Sequence, residues 1–240
     1  MAGESARALL SVVIPAYNEE QRLPRTIEQI ERNLDSRQVP YELILVDDGS
    51  TDGTRQVMDA AAERNPRVRV EALPRNRGKG RALAAGVAVA TGEEVLVTDA
   101  DLSTPIEELV KLEAALNAGA GVAIASRAVR GSKIEIPQPV YRVLMGKVFN
   151  LIVQAVLLPG IWDTQCGFKL FRADVAKPAF AALTTDGFGF DPEVLYLAKR
   201  RGTRIAEVPV VWRHSAPTKV MAVRSSLDMF RHVVRVRFSR

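Results

Sequence analysis

The sequence predicts an α/β fold: a single Rossmann-like, mostly parallel sheet flanked by helices. Three observations lead there. Short, continuous apolar runs rich in β-branched residues recur through the first half, the pattern of strands buried on both faces. Between them lie segments whose apolar residues repeat at helical spacing. Each apolar run also ends in a loop that gathers charged residues or glycines, so charge collects where strands stop. At 240 residues, 47% of them hydrophobic, the chain can bury one substantial core.

In order, Leu9–Ile14 reads as the first strand. It breaks at the polar loop Pro15-Ala-Tyr-Asn-Glu-Glu20, before a helix carrying Leu23, Ile27, Ile30 and Leu34. Tyr41–Val46 is the second strand, running into the turn Asp47-Asp-Gly-Ser-Thr-Asp-Gly53 and a helix to about Arg64. Val68–Ala72 is the third strand. The basic glycine loop Pro74-Arg-Asn-Arg-Gly-Lys-Gly80 precedes a helix over Arg81–Ala90, and Glu94–Thr98 is the strand that delivers Asp99. Four alternations of this kind place the binding side at the strands' C-terminal edge.

The second half continues with a helix from Pro105 to about Ala118 and a strand at Gly121–Ala125. Residues 128–139 read as a loop long enough to close over a site. Val140–Leu158 is apolar over most of its circumference and has no acidic residue, which fits either a buried core helix or an interfacial helix facing lipid. Asp191 is the expected cap of a helix over Glu193–Arg200, and Ile205–Trp212 is the last strand, where Pro209 marks an edge or bulge. From about Ser225, Leu227, Phe230, Val233 and Val236 interleave with Arg224, Arg231, Arg235 and Arg237: a basic amphipathic helix suited to an anionic membrane surface.

Composition excludes several classes. One cysteine, Cys166, rules out an intrachain disulfide scaffold, and two histidines make a histidine-rich zinc site improbable. No G-x-G-x-x-G follows the first strand and there is no Walker A loop, which disfavours NAD and ATP by those routes. The net charge of +5 divides unevenly. Residues 1–126 hold 14 Lys/Arg and 20 Asp/Glu, whereas residues 127–240 hold 19 and 8. The second half therefore faces something anionic. No stretch reaches the roughly 18 apolar residues of a spanning helix, and Met1–Leu10 does not read as a secretory signal. The expectation is a cytoplasmic protein, peripheral on the cytoplasmic face of a membrane.

On the binding edge, Asp47 or Asp48 could accept hydrogen bonds from a base or ribose, and Arg77 and Lys79 could reach phosphate oxygens. Asp101, with Asp99, is placed to hold Mg²⁺ or Mn²⁺ against a diphosphate. A lone D-x-D equally fits an acidic turn; the convergence of four loops on one edge favours a site.

The runs Val12-Val-Ile-Pro-Ala-Tyr-Asn-Glu-Glu20, Leu45-Val-Asp-Asp-Gly-Ser-Thr-Asp-Gly-Thr54, Asn76-Arg-Gly-Lys-Gly80 and Asp99-Ala-Asp101 resemble the inverting family 2 glycosyltransferases of GT-A fold. The resemblance implies a nucleotide-sugar donor and a divalent cation. It assigns Pro15, Tyr17, Glu19, Asp47 and Lys79 to the nucleotide, Asp99 to the donor and Asp101 to the metal, with Asp48 beside them. Asp163-Thr-Gln-Cys-Gly-Phe-Lys-Leu-Phe171, Phe188-Gly-Phe-Asp-Pro-Glu193 and Trp212-Arg-His214 sharpen it toward dolichyl- and polyprenyl-phosphate β-glucosyltransferases. Those enzymes move glucose from UDP-glucose to a lipid monophosphate. By that likeness Arg127, Arg130, Gln165 and Lys169 fall near the acceptor phosphate, and Asp163 and Lys169 join Asp99 and Asp101 as candidate catalytic residues.

One GT-A domain over 1–240 is then expected, with a nucleotide-sugar half at 9–126 and an acceptor half at 127–240. The expected partners are a nucleotide sugar, a polyprenyl or dolichyl phosphate and an anionic membrane surface, and no nucleic acid. With no hydrophobic anchor at either end, a membrane-anchored partner or a homo-oligomer is also expected. Three alternatives stay open at this point: a family 2 transferase acting on a hydroxyl acceptor, a GDP-mannose-dependent lipid mannosyltransferase, and a peripheral adaptor on an inactive scaffold. A hydroxyl acceptor would require a carboxylate base, for which Asp163 and Asp191 are the candidates.

Overall fold

The computed structural model describes residues 10–187, 189–215, 233 and 235–238, and of Arg142 the backbone alone. Its first half alternates as the apolar runs predict: β1 (Leu10–Ala16), α1 (Leu23–Ser36), β2 (Tyr41–Asp47), α2 (Thr54–Arg64), β3 (Val68–Ala72), α3 (Lys79–Val89) and β4 (Glu94–Val97). Val12, Val13 and Ile14 are all fully buried, as a strand covered on both faces requires. In α1, Leu23, Ile27, Ile30 and Leu34 recur every three or four residues and form the buried stripe, while proline is accommodated in the first turn.

The second half adds a 3₁₀ turn (Ile106–Glu108), α4 (Leu109–Asn117), β5 (Val122–Ser126), β6 (Lys133–Ile136), α5 (Val140–Val156), β7 (Lys169–Arg172), α6 (Ala173–Ala181), α7 (Phe190–Arg200), β8 (Ile205–Pro209) and β9 (Val211–Arg213). Seven strands make one sheet in the order β3-β2-β1-β4-β7-β5-β8, and β6 pairs with β9 in a separate ribbon. Every pairing in the large sheet is parallel except those of β7 with β4 and β5.

Two topological facts position the site. The chain steps outward from β1 to β2 to β3, then returns through α3 to place β4 on the other side of β1. The C-terminal ends of β1 and β4 therefore flank a switch point, the crevice where open α/β sheets bind ligands. Because β7 runs antiparallel, it begins at the edge where its neighbours end. Lys169 lies opposite Val97 of β4 and Ile124 of β5. The loop before β7 thus joins the Asp99 loop on the same edge.

Several expectations change. The segment expected as a loop at 128–139 contains β6, whose N–H at Lys133 donates to the Val210 carbonyl. Neither β7 nor α6 was expected. Strand β7 depends on long-range pairing that no local pattern announces, and α6 carries Pro178 inside it, a residue that argues against a helix by sequence. The expected Ile205–Trp212 strand is split at Val210: β8 is the edge of the large sheet and ends on Pro209, and β9 crosses to the ribbon. Helix α7 starts earlier than expected, with Gly189 at its N-cap, so Asp191 is not the cap but a buried residue of the first turn. The basic helix expected from about Ser225 falls mostly outside the described residues. Of it, Val233 and Val236 are buried in the same core cluster as Phe149 and Val153.

Phe171 of β7 is fully buried and meets Phe180 edge-on, with ring centroids 5.5 Å apart. Phe180 continues to Phe190 at 6.5 Å. This row joins β7, α6 and α7 beneath the site. Phe171→Ala should cost about 3–5 kcal/mol of unfolding free energy, read as a lowered urea midpoint at unchanged slope.

Candidate active site

On the β1 and β2 side, two loops are stitched together by polar contacts. Asn18 adopts the left-handed region (φ 56°), its N–H donates to Ser50 Oγ at 3.1 Å, and its Oδ1 accepts the Thr51 N–H at 2.8 Å. The Glu19 N–H donates to Thr54 Oγ1 at 2.7 Å, and the Glu20 carboxylate accepts the Gly53 N–H at 2.7 Å. Pro15 is the second-last residue of β1, and Tyr17 stands exposed at the rim. Asp47 is buried at the end of β2 and accepts the Ser50 N–H at 2.9 Å.

Asp48 is occupied differently from its neighbour. Its two oxygens accept the N–H groups of Arg77 and Gly78 at 2.7 and 2.8 Å, which fixes the basic glycine loop. Burial pushes its carboxyl up from the usual range, and these two donors oppose that rise. Gly78 has φ +100°, and a Cβ there would lie 2.5 Å from the Asp186 carbonyl oxygen, so both backbone and space require glycine. The 184–186 segment is held in turn by Glu193, whose carboxylate accepts from the N–H and hydroxyl groups of Thr184 and Thr185. Arg77 pairs with Asp186 at 3.0 Å, and the Arg81 N–H reaches the Asp186 carbonyl at 3.1 Å. Residues of the second half thus clamp the start of α3, from which Lys79 projects.

The D-x-D turn is built as tightly. The Thr98 N–H bonds the Val13 carbonyl, tying the end of β4 to β1. Thr26, buried on α1, donates its hydroxyl to the Ala100 carbonyl at 2.6 Å, between the two acids. Leu102 takes φ 43°, an unusual conformation for a leucine, and the Ser103 N–H closes onto Asp101 Oδ1 at 3.0 Å. On the other side a Cβ on Gly167 would lie 2.0 Å from Asp99 Oδ2. Only glycine at 167 lets this carboxylate lie against the loop before β7.

Three ion pairs then line the edge. Lys79 Nζ meets Asp99 Oδ1 at 2.5 Å. Burial opposes charge on both partners, but attraction wins. Lys79 is carried above its ordinary range by Asp99, Asp191 and Asp101, and Asp99 is held below its own by Lys79, Lys169 and Arg127. Asp101 goes the other way: burial and then the charge of Asp99 push its carboxyl up. Lys169 is 0% exposed, with Nζ donating to Asp191 and to the Cys166 carbonyl. The Phe190 ring centroid lies 5.5 Å from Lys79 Nζ and 6.0 Å from Lys169 Nζ, within cation–π reach. Arg127 grips Asp163 through Nε (2.7 Å) and Nη2 (2.8 Å), and its own backbone N–H adds a third bond at 2.9 Å. The Trp212 ring packs 5.3 Å from this guanidinium. Glu207 of β8 sets the pair's height by accepting the N–H groups of Trp162 (2.7 Å) and Asp163 (3.0 Å).

The structure therefore brings Asp99, Asp101, Lys79, Arg127, Asp163 and half-buried Gln165 to one edge, with the Tyr17, Glu19 and Asp47 loops on its β1 side. Lys169 lies beneath that edge, with no surface from which to touch a substrate. Arg130 is exposed on the turn that follows Arg127. Thr26, Gly167 and Glu207 escaped sequence reasoning as site residues because each acts through a partner distant in the chain, and Glu193 because it acts only by holding Thr184 and Thr185. As to a metal, Asp101 is a half-buried carboxylate whose charge is disfavoured by its surroundings, so the position fits a cation. Among the described residues no group of three or more His, Cys, Asp or Glu converges. The side chains would supply one or two oxygens, leaving further positions for phosphate and water.

Comparison with known proteins agrees with this geometry. The model of the family "Glycosyl transferase family 2" matches residues 11–180. The human dolichyl-phosphate beta-glucosyltransferase is 36% identical over 247 residues, spanning 98% of this chain and 76% of that one. The Dictyostelium discoideum protein of the same name is 34% identical over 241 residues, spanning 95% and 74%. The Saccharomyces cerevisiae one is 32% identical over 251 residues, spanning 96% and 74%. Among solved structures, Mycobacterium tuberculosis glucosyl-3-phosphoglycerate synthase in complex with Mn²⁺ and UDP-glucose aligns at a TM-score of 0.70 and 24% identity, covering 98% of this chain and 79% of that one. That last likeness is one of fold, and it bears out the GT-A architecture expected from the motifs.

The buried Arg127–Asp163 pair has a consequence for pH. Burial alone would raise the Asp163 carboxyl, but Arg127 overrides it and holds the group below its usual range. The stabilisation it contributes is thus present above the unfolded carboxylate pKa and is lost as pH falls through the lower folded value. Asp163→Asn should cost about 3–5 kcal/mol at neutral pH. Denaturant titrations of both proteins should show this gap closing on acidification; a gap independent of pH would contradict the pairing.

Proposed function

The chain belongs to glycosyl transferase family 2, and from that premise we propose that it transfers glucose, with inversion, from a nucleotide sugar such as UDP-glucose to a polyprenyl or dolichyl monophosphate. The lipid-phosphate acceptor takes its support from curated relatives across eukaryotes, which carry the name dolichyl-phosphate beta-glucosyltransferase. Within the site it rests on the state of the two carboxylates that could serve as a base. Asp163 is gripped by Arg127 through both of its oxygens, and Asp191 is paired with buried Lys169. Neither is poised to take a proton from a sugar hydroxyl. A phosphate monoester is already ionised near neutral pH and needs no such base.

In this reading residues 9–126 hold the donor, with the Tyr17, Glu19 and Asp47 loops around the nucleotide and Asp48 keeping the glycine loop in place. Lys79 sits at the α3 N-terminus, where its ammonium and the positive end of the helix dipole both favour a diphosphate. Asp101, with Asp99 beside it, would hold Mg²⁺ or Mn²⁺, and such a cation when bound supplies charge neutralisation for the departing diphosphate. Residues 127–240 hold the acceptor. Asp163 takes the Nε–Nη2 edge of Arg127, and the Nη1 edge is the one that meets an acceptor phosphate oxygen, with Arg130 and Gln165 nearby. Lys169 acts from below, adding to the larger effect of Lys79 in holding the Asp99 carboxyl below its usual range. The chain works peripherally on the cytoplasmic face of an anionic membrane, alone or beside an anchored partner. No described helix is long and apolar enough to cross one.

Purified protein given Mn²⁺ and a panel of nucleotide sugars should form a glucosyl lipid from UDP-glucose and polyprenyl phosphate, and none with the matching polyprenyl alcohol. Asp101→Ala should lose about 100-fold or more in turnover while its thermal unfolding stays close to wild type. Transfer to the alcohol at a comparable rate would overturn the phosphate reading, and full activity in Asp101→Ala would overturn the cation assignment.

A further inference from the structure

Glu193 is an acid buried in the second half of the chain that gives four hydrogen bonds to one short segment. It lies in the first turn of α7 and is 1% exposed. Its Oε1 accepts the Thr184 N–H at 2.9 Å and the Thr184 hydroxyl at 2.7 Å. Its Oε2 accepts the Thr185 N–H at 3.0 Å and the Thr185 hydroxyl. A carboxylate can be withdrawn from water only where donors replace the lost hydration, and two adjacent threonines supply them here. The result is a segment fixed by backbone and side chain alike, although 184–186 belongs to neither helix nor strand.

That segment is the wall on which the glycine loop rests. A Cβ on Gly80 would lie 2.5 Å from the Thr185 carbonyl oxygen and 2.7 Å from Phe190 Cβ. One on Gly78 would lie 2.5 Å from the Asp186 carbonyl oxygen, which also accepts the Arg81 N–H at 3.1 Å. The Asp186 carboxylate pairs with Arg77 at 3.0 Å. Residues 77, 78, 80 and 81 thus all meet this wall, and Lys79 stands between them. Asp48 holds the loop from its other side, while the Lys79 ammonium reaches Asp99 and lies 5.5 Å from the Phe190 ring centroid.

We propose that Glu193 is a positioning residue for the donor diphosphate: by fixing 184–186 it sets the place from which the Lys79 ammonium meets the ligand. The proposal deepens the nucleotide-sugar reading above and rests on it. An electrostatic contact is strong only when the charge is already in place, and a small displacement of a positioning group is enough to lose much of it. Without Glu193 the lysine keeps its charge, but the loop that carries it loses one of its two supports. The amide of a Gln at 193 would keep the carboxylate's shape. It would turn an NH₂ toward one of the two threonines, whose backbone N–H then has no acceptor.

Calorimetric titration of UDP into the full chain at fixed Mn²⁺ tests this with wild type, Glu193→Gln, Lys79→Met and the double variant. Glu193→Gln should bind UDP about tenfold more weakly than wild type. In the Lys79→Met background the same substitution should change UDP affinity by less than about twofold, because the group it positions is gone. In turnover, Glu193→Gln should raise KM for the nucleotide sugar and leave KM for polyprenyl phosphate within about twofold of wild type. Thr185→Ser, which keeps the hydroxyl, should bind UDP as wild type does, and Thr185→Val should be weaker. Should Glu193→Gln fail to fold, the cycle is run with Thr185→Val in its place. Equal losses with and without Lys79 would overturn the proposal, as would wild-type UDP affinity in Glu193→Gln or matched rises in both KM values. Wild type that binds no UDP would overturn the donor reading and this role with it; the other adverse results remove the role of Glu193 alone.

Discussion

The Lys79–Asp99 bridge joins the parts on which the rest of the site depends. It links the glycine loop that follows β3 to the acid that ends β4, across the point where the strand order reverses. Both groups are partly withdrawn from water, and the attraction between them offsets the cost that burial places on each charge. Everything around the bridge serves to make that burial tolerable. Asp48 fixes the backbone from which Lys79 projects, Gly167 opens room for the Asp99 carboxylate, and Lys169 with Asp191 adds a neutral pair beneath. A low-dielectric edge with preset, paired charges can receive a diphosphate and a cation with little reorganisation, which is where electrostatic catalysis draws its strength.

The same constraint explains the topology. A parallel sheet alone would bring to the edge only residues from strand ends. Inserting β7 in the opposite sense adds a strand beginning, so Cys166, Gly167 and Lys169 reach the site from the chain's second half. Donor and acceptor residues are therefore less separable than the two sequence halves suggest. Lys79 lies in the first half, yet its setting includes Phe190, Asp191 and the Thr184–Asp186 segment, which Glu193 holds by four hydrogen bonds.

The sequence made the donor side legible because its elements are local. Apolar runs, turn residues and the D-x-D each declare themselves within a few residues, and β1 to β4 follow from them. The acceptor side was harder. Strand β7 is four residues long and depends on partners far along the chain. Lys169 was placed near the acceptor phosphate by the family likeness, and its burial was not legible because its partner Asp191 lies 22 residues on. Thr26 was invisible as a site residue, since its hydroxyl meets a carbonyl 74 positions away. Asp48 shows the opposite error: the right residue type at the right edge, holding a loop rather than facing open space. Helix α5 left two readings open between burial and an interfacial position; the structure buries one face and leaves the other exposed to solvent.

The central claim is that the edge defined by Lys79, Asp99 and Asp101 receives a nucleotide diphosphate sugar together with a divalent cation. A crystal structure of the chain grown with UDP-glucose and Mn²⁺ tests it most directly. The account predicts Mn²⁺ in direct contact with the Asp101 carboxylate and with diphosphate oxygens, Lys79 within hydrogen-bond reach of the same diphosphate, and the uridine between the Tyr17 and Asp47 loops. A nucleotide bound away from the β1–β4 switch point, or a cation without contact to Asp101, would contradict it.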